Sequence, residues 1–242
     1  MTRCLFLAGA AGAIGRRLAP LLVADGWRVA GTTRWAAKVP ILRALGVDPV
    51  IVDVFDADAL CDVVARAQPS IVVHQLTDLP PGLDPGKMAE ARARNARLRE
   101  EGTRNLVAAA VRAGVRRLVA QSVAFAYADG PLPHREDGPL DVAAEGSAGT
   151  SARGIASLEG QVLAAPLEGI ILRYGRLYGP GTGVDTASGR APVHVDAAAR
   201  AAQLAVTRGA PGIYNIAEDD GAVSSEKAKQ QLGWTARWRA GA

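Results

Sequence analysis

Three glycines spaced by three residues, Gly9, Gly12 and Gly15, follow the apolar run from Cys4 to Ala8. They lead into a segment where Ile14, Leu18, Leu21 and Leu22 recur at helical spacing. Glycines placed this way let a pyrophosphate come against the backbone, where the amides of a helix N-terminus and its dipole hold negative oxygens. A side chain at Gly9 or Gly12 would obstruct that approach, and Gly15 would let the helix lie close to the strands. With Ala11, Ala13 and Ile14, the turn is a candidate dinucleotide cradle.

The residues that would hold the rest of a dinucleotide come from later segments. An acidic side chain about 20 positions beyond such glycines bonds the ribose hydroxyl of NAD, whereas a basic one accommodates the extra phosphate of NADP. Here the run is Thr32, Thr33, Arg34, with Lys38 a turn later, which favours NADP. Asp53 and Val54 end an apolar segment, and Asp53 is placed either to bond an adenine amino group or, like Asp56, to cap the next helix. Gln75, Leu76 and Thr77 end another such segment and complete the candidate cofactor set.

These positions require an alternating architecture. Apolar runs predict strands at 27–33, 50–53, 70–74, 115–123 and 169–174, and helical periodicity predicts helices ending near Leu45 and spanning 58–67, 87–113, 150–163 and 197–206. The run at 50–53 reads as covered on both faces. Residues 79–86, with five prolines and glycines among them, form a loop. Asp196 is placed to cap the helix that follows it. Alternating strands and helices at this pace give an α/β fold, a doubly wound parallel sheet with a short C-terminal lobe. The expected division is one domain over 1–242, with a core at 1–173 and a small substrate-side lobe at 174–242.

The composition narrows the class. The chain of 242 residues is 49% hydrophobic, enough for one buried core. Its 28 basic against 24 acidic residues leave a charge of +4, too mild and too scattered for a nucleic-acid surface. Arg92, Arg94, Arg97, Arg99 and Arg104 read as a solvated helix face. Cys4 and Cys61 lie in apolar patterns and read as reduced thiols of a cytoplasmic protein. No stretch reaches the roughly 20 apolar residues of a membrane span, and the start at Met1 carries too short an apolar run for a secretory leader. His74, His134 and His194 are too dispersed for a metal site; His74 ends a strand and His134 lies in a polar, solvated loop.

Several ordered motifs together resemble the extended short-chain dehydrogenase/reductase family, the NAD-dependent epimerase/dehydratase group. They are the glycine turn at 9–15, Val52-Asp53, Gly102 to Leu106, Gly114 to Val119, Arg173 to Gly181, Val193 to Asp196, Gly212 to Ile216 and Gln231 to Trp234. The resemblance implies a Rossmann-type sheet binding NAD(P), and a small-molecule substrate such as a sugar or nucleotide-sugar. It also implies a tyrosine as acid/base, a lysine one helical turn on that lowers its pKa, and a serine or threonine that orients the substrate oxygen. A homodimer through a helix pair is common in the family.

The chain departs from that pattern at the proton-transfer residues. Val123 stands in the place of the orienting hydroxyl, next to Ser122; Ser151 stands where the tyrosine belongs and Ile155 where the lysine belongs. No tyrosine is followed four residues later by a lysine, and an isoleucine cannot lower a pKa. Only Thr182 to Pro192 separates the glycine-proline turn from Val193, either a reduced substrate lobe or one missing a piece. Two readings follow. One is an NAD(P)-dependent oxidoreductase or epimerase-like enzyme of atypical mechanism, with Ser122, Tyr174 or Tyr178 handling the proton. The other is a non-catalytic NAD(P)-binding sensor or scaffold.

Overall fold

A computed structural model describes residues 3–241; Met1 and Thr2, where the leader was judged, lie outside them. Strand β1 (Cys4–Ala8) is followed by α1 (Ala13–Ala24), β2 (Arg28–Thr33), α2 (Val39–Ala44), β3 (Asp48–Ile51), α3 (Ala57–Ala67) and β4 (Ile71–His74). The second half continues with α4 (Met88–Arg97), α5 (Thr103–Arg112), β5 (Arg117–Val123), α6 (Gly146–Ala164) and β6 (Glu168–Tyr174). It closes with β7 (Arg176–Tyr178), β8 (Pro192–His194), α7 (Val195–Thr207), β9 (Gly212–Ile216) and α8 (Glu226–Leu232). Seven strands form one parallel sheet in the order β3-β2-β1-β4-β5-β6-β9, and β7 pairs with β8 in a separate ribbon.

Alternation along each strand sorts side chains to two cores. Leu5, Leu7, Val73, Val119, Leu172 and Tyr174 face α1 and α7, while Phe6, Val72, Leu118, Ala120 and Ile171 face α3, α5 and α6. Leu5, Phe6 and Leu7 are fully buried, and each such side chain contributes about 1.5–3 kcal/mol through lost apolar exposure. The strand order reverses between β1 and β4, where Leu7 lies beside Val73 and Ala8 beside His74. Ligands of doubly wound sheets bind in the crevice at that point.

Three expectations change. Strand β3 is the sheet's edge, not a doubly covered strand; it begins at Asp48, and Ile51 is 55% exposed. The helix expected over 87–113 contains a π-helical turn at Leu98–Gly102 between α4 and α5. The N-cap of α7 is His194, whose Nδ1 accepts from the Asp196 amide, while the Asp196 carboxylate turns toward Arg17 at 3.6 Å. Beyond residue 173 the chain returns to the main body, where α7 packs against α1 and β9 pairs with β6 in the main sheet. Arg117 ties this return together, donating to the carbonyls of Ala205, Arg208 and Gly209 and pairing with Glu168 at 2.7 Å.

Candidate functional site

The glycine turn is a cradle assembled by close approach. Gly9 has φ +89°, its amide donates to the Thr32 hydroxyl at 3.1 Å, and a Cβ there would lie 2.6 Å from the Gln75 carbonyl oxygen. A Cβ on Gly15 would run into the Gly9 and Ala10 carbonyls. Both glycines thus let the turn fold on itself and against the end of β4. Gly12 differs: its backbone is extended, and a Cβ would meet the Gly9 oxygen at 3.3 Å and otherwise open space. Gly12 caps α1 with no side chain, so the amides of the first turn, including those of Ala13 and Ile14, are left for an anion. These features fit a dinucleotide pyrophosphate.

Past the ends of β2 and β3, Arg34, Trp35, Ile51, Val52, Asp53, Asp56 and Ala59 line an open hollow of about 370 Å³. Asp53 closes a turn by accepting from the Phe55 amide at 3.0 Å, and Asp56 caps α3 through the Ala59 amide. Val54 is buried, and its carbonyl accepts from the Asn105 side chain. Arg34 pairs with Asp78 at 2.8 Å, and Arg94 holds the other oxygen of the same carboxylate at 3.3 Å. Lys38 is exposed at the end of a short 3-10 turn. Leu76 is half-buried and Thr77 exposed just past β4.

On the other flank of α1, Ala13, Arg16 and Arg17 face Pro180 and Gly181 across a hollow of about 340 Å³. Tyr178 stands near this flank on β7. Its hydroxyl donates to Glu218 at 2.7 Å and accepts from Arg239, and burial with the Glu218 charge pushes its pKa up. Tyr174 is 2% exposed, and burial raises its pKa strongly. It packs β6 against the core.

Behind the crevice, α6 carries the positions where a tyrosine and lysine were expected. Ile155 is buried. Ser151 accepts a hydrogen bond from Arg99 Nη1 at 3.2 Å. One turn beyond Ile155, Glu159 accepts from Ser122 at 2.6 Å and binds Arg173 through both oxygens, at 2.9 and 2.6 Å. Ser122 is therefore held in a buried ionic tie rather than presented to the crevice. His134, expected to be solvated, is half-buried and stacks on Tyr127 at 4.9 Å.

Arg99 is the functional candidate that composition hid. Arg94 and Arg97 make helical surface pairs with Glu90 and Glu101, but Arg99 is half-buried beside Ser151, and burial lowers its pKa to about 10. It lies four residues after buried Asn95 and three before buried Gly102, at the margin of the inward stripe.

His74, at the end of β4, is fully buried between Thr103, whose hydroxyl is 3.1 Å from Nε2, and the Leu76 amide, which donates to Nδ1. Burial first, then Arg99, lowers its pKa from 6.5 to about 4. The unfolded imidazole therefore takes a proton before the folded one does. Stability should be constant above about pH 7 and fall as pH drops from 6.5 toward 4, by on the order of 3 kcal/mol in all. Urea midpoints at pH 7 and pH 5 check this. His74→Gln should flatten that part of the slope, and an unchanged slope would assign it to other groups.

The sequence model of a family described as NAD(P)H-binding matches residues 9–205. A Streptomyces protein, 3-diazoavenalumate denitrifying reductase, is 40% identical over 243 aligned positions, covering 92% of this chain and 78% of its own. Among solved structures, UDP-glucose 4-epimerase of Thermotoga maritima superposes with a TM-score of 0.78 at 18% identity, covering 98% of this chain and 94% of that one. The Bordetella bronchiseptica enzyme WbmH, in complex with NAD+, gives 0.71 at 24% identity over 91% and 77%. These two likenesses establish a shared fold.

Proposed function

The chain belongs to the NAD(P)H-binding family with an extended short-chain dehydrogenase/reductase fold, and from that premise we propose that it is an NADPH-dependent reductase of a diazo-bearing aromatic compound. The observation that carries this reading is a glycine turn open to a pyrophosphate in a chain that has Ser151 and Ile155 where proton-transfer groups were expected. Reducing a carbonyl leaves an alkoxide that needs a positioned acid. Bound NADPH supplies a hydride, and a hydride plus an aryl diazonium gives an arene and dinitrogen, balanced in atoms and charge with no proton to place. The name of the 40% identical reductase supports that substrate class. A sensor or scaffold would also retain the glycines, but likeness to a reductase favours turnover.

In this reading Gly9, Ala11, Gly12 and Gly15 shape the turn, and the Ala13 and Ile14 amides hold the pyrophosphate. Asp53, Val54, Gln75, Leu76 and Thr77 surround the adenosine half. Arg34, assisted by Lys38, takes the 2'-phosphate of NADP. Asp78 supports this, because it keeps Arg94 when Arg34 swings to a phosphate, so the exchange strands no charge. The substrate is a small molecule, and the brief stretch from Thr182 to Pro192 argues against a large nucleotide-sugar. Free Cys4 and Cys61 suit a reducing, cytoplasmic setting.

The test is NADPH oxidation with an aryl diazonium salt, corrected for the enzyme-free rate. One dinitrogen should appear per NADPH, and deuterium from 4-deuterated NADPH should enter the arene. NADH should serve less well, and Arg34→Gln should raise the KM for NADPH by about 10–100-fold, the worth of a charge-assisted bond, while leaving that for NADH unchanged. Reduction of carbonyl compounds with no action on diazo arenes would overturn the reading.

A further inference from the structure

Arg99 is placed by three features that the cofactor cradle does not use. Helices α4 and α6 lie side by side in the same direction, because both return antiparallel to parallel strands. Arg92 reaches Ser147, Ala96 lies against Gly154, and the Glu100 carbonyl accepts from Gln161, in step along the seam. A Cβ on Gly154 would come 2.9 Å from the Ala96 Cα, so the two backbones nearly touch there. Arg99 leaves the seam at the π-helical turn, a distortion frequent at functional sites.

Helical side chains lean toward the helix N-terminus. Arg99 follows that rule, running up the seam past Gly154 to Ser151, toward the sheet edge where ligands of such folds bind. Ser151 lies two turns before Glu159, which reaches Ser122 near the end of β5, so the guanidinium stands beyond the strand ends.

Arg99 also lacks an anion. Among the described residues no carboxylate lies within ion-pair distance of it, whereas Arg34, Arg94, Arg97, Arg116, Arg117 and Arg173 each have one. Glu159, whose charge it feels, is already engaged by Ser122 and Arg173. A half-buried guanidinium with one neutral acceptor leaves most of its donors for a ligand.

We propose that Arg99, steadied by Ser151, is the substrate-binding residue of this crevice and receives the carboxylate of an anionic aromatic substrate. This rests on the reductase reading for the identity of the crevice, but its test requires no turnover. The protein saturated with NADP+ is titrated calorimetrically with cinnamate and with methyl cinnamate. The parent protein should bind the anion at least about 10-fold more tightly than the ester, and Arg99→Gln should erase that preference while leaving the ester and NADP+ affinities unchanged. Arg99→Lys should keep a weakened preference for the anion, since the charge remains and the planar fork is lost. Ser151→Ala should weaken the anion only a few-fold.

Equal affinity of the parent for anion and ester overturns the proposal. So does a matching loss of NADP+ affinity in Arg99→Gln, which would place the guanidinium on the cofactor instead. If Arg99→Gln does not fold, Arg99→Lys decides: equal binding of anion and ester by that variant is equally fatal. Anion binding without diazo reduction would remove the proposed reaction and leave this site standing; diazo reduction by a protein whose anion affinity ignores Arg99 would do the reverse.

Discussion

Gly12→Val should weaken NADPH binding by at least about 100-fold, about 2.8 kcal/mol, while the protein stays folded. The contrast among the three glycines makes this informative. Gly9 needs its left-handed backbone and lies against the Gln75 carbonyl, and Gly15 lies against the Gly9 and Ala10 carbonyls, so a side chain at either disrupts the turn itself. Gly12 has φ −79° and ψ 178°, a conformation open to any residue, and is exposed. A valine there projects over the first-turn amides, into the volume a pyrophosphate must enter, while the stability cost should stay below about 1 kcal/mol, the scale of a poorer N-cap. Titration with NADPH and a thermal melt check the pair of expectations. An undiminished affinity would place the pyrophosphate elsewhere.

Glu159→Ala should destabilise the fold by about 3–5 kcal/mol, because it leaves Arg173 a buried cation without its carboxylate. Both side chains are buried, at 6% and 4% exposure, and Ser122 would lose its acceptor as well. What remains to Arg173 is the Glu136 carbonyl at 3.3 Å and the face of Tyr127 at 4.8 Å. Replacing both ions with apolar residues of similar size, Glu159→Leu with Arg173→Met, should recover most of the loss, since a buried pair gives little net stability over good packing. Denaturant midpoints of the two variants decide it. If the single variant loses under about 1 kcal/mol, the tie is not what holds α6 on the sheet.

The sheet and its glycine turn were legible because they depend on local signals: glycines next to an apolar run, then a helical period. Other features depend on partners far along the chain. Arg34 meets Asp78, 44 residues away, in a loop whose path no period encodes. The cap of α7 was misplaced by two residues because His194 and Asp196 can both accept an amide hydrogen, and only the turn into the helix selects between them. The edge position of β3 follows from strand order, which its apolar run does not carry. Arg99 sat in plain view among five arginines, and its abundance of like neighbours concealed a position that the helical period put at the inward margin.

That edge also bears on how the molecule meets copies of itself. Strand β3 is four residues long, and its second residue, Pro49, has no N–H to offer an incoming chain, while Asp48 is held by Arg28 at 3.3 Å. A short border carrying a proline and a charge is a poor template for strand addition. Polymerisation by sheet extension is thereby discouraged at this end, which leaves β9 as the edge of the main sheet open to strand pairing.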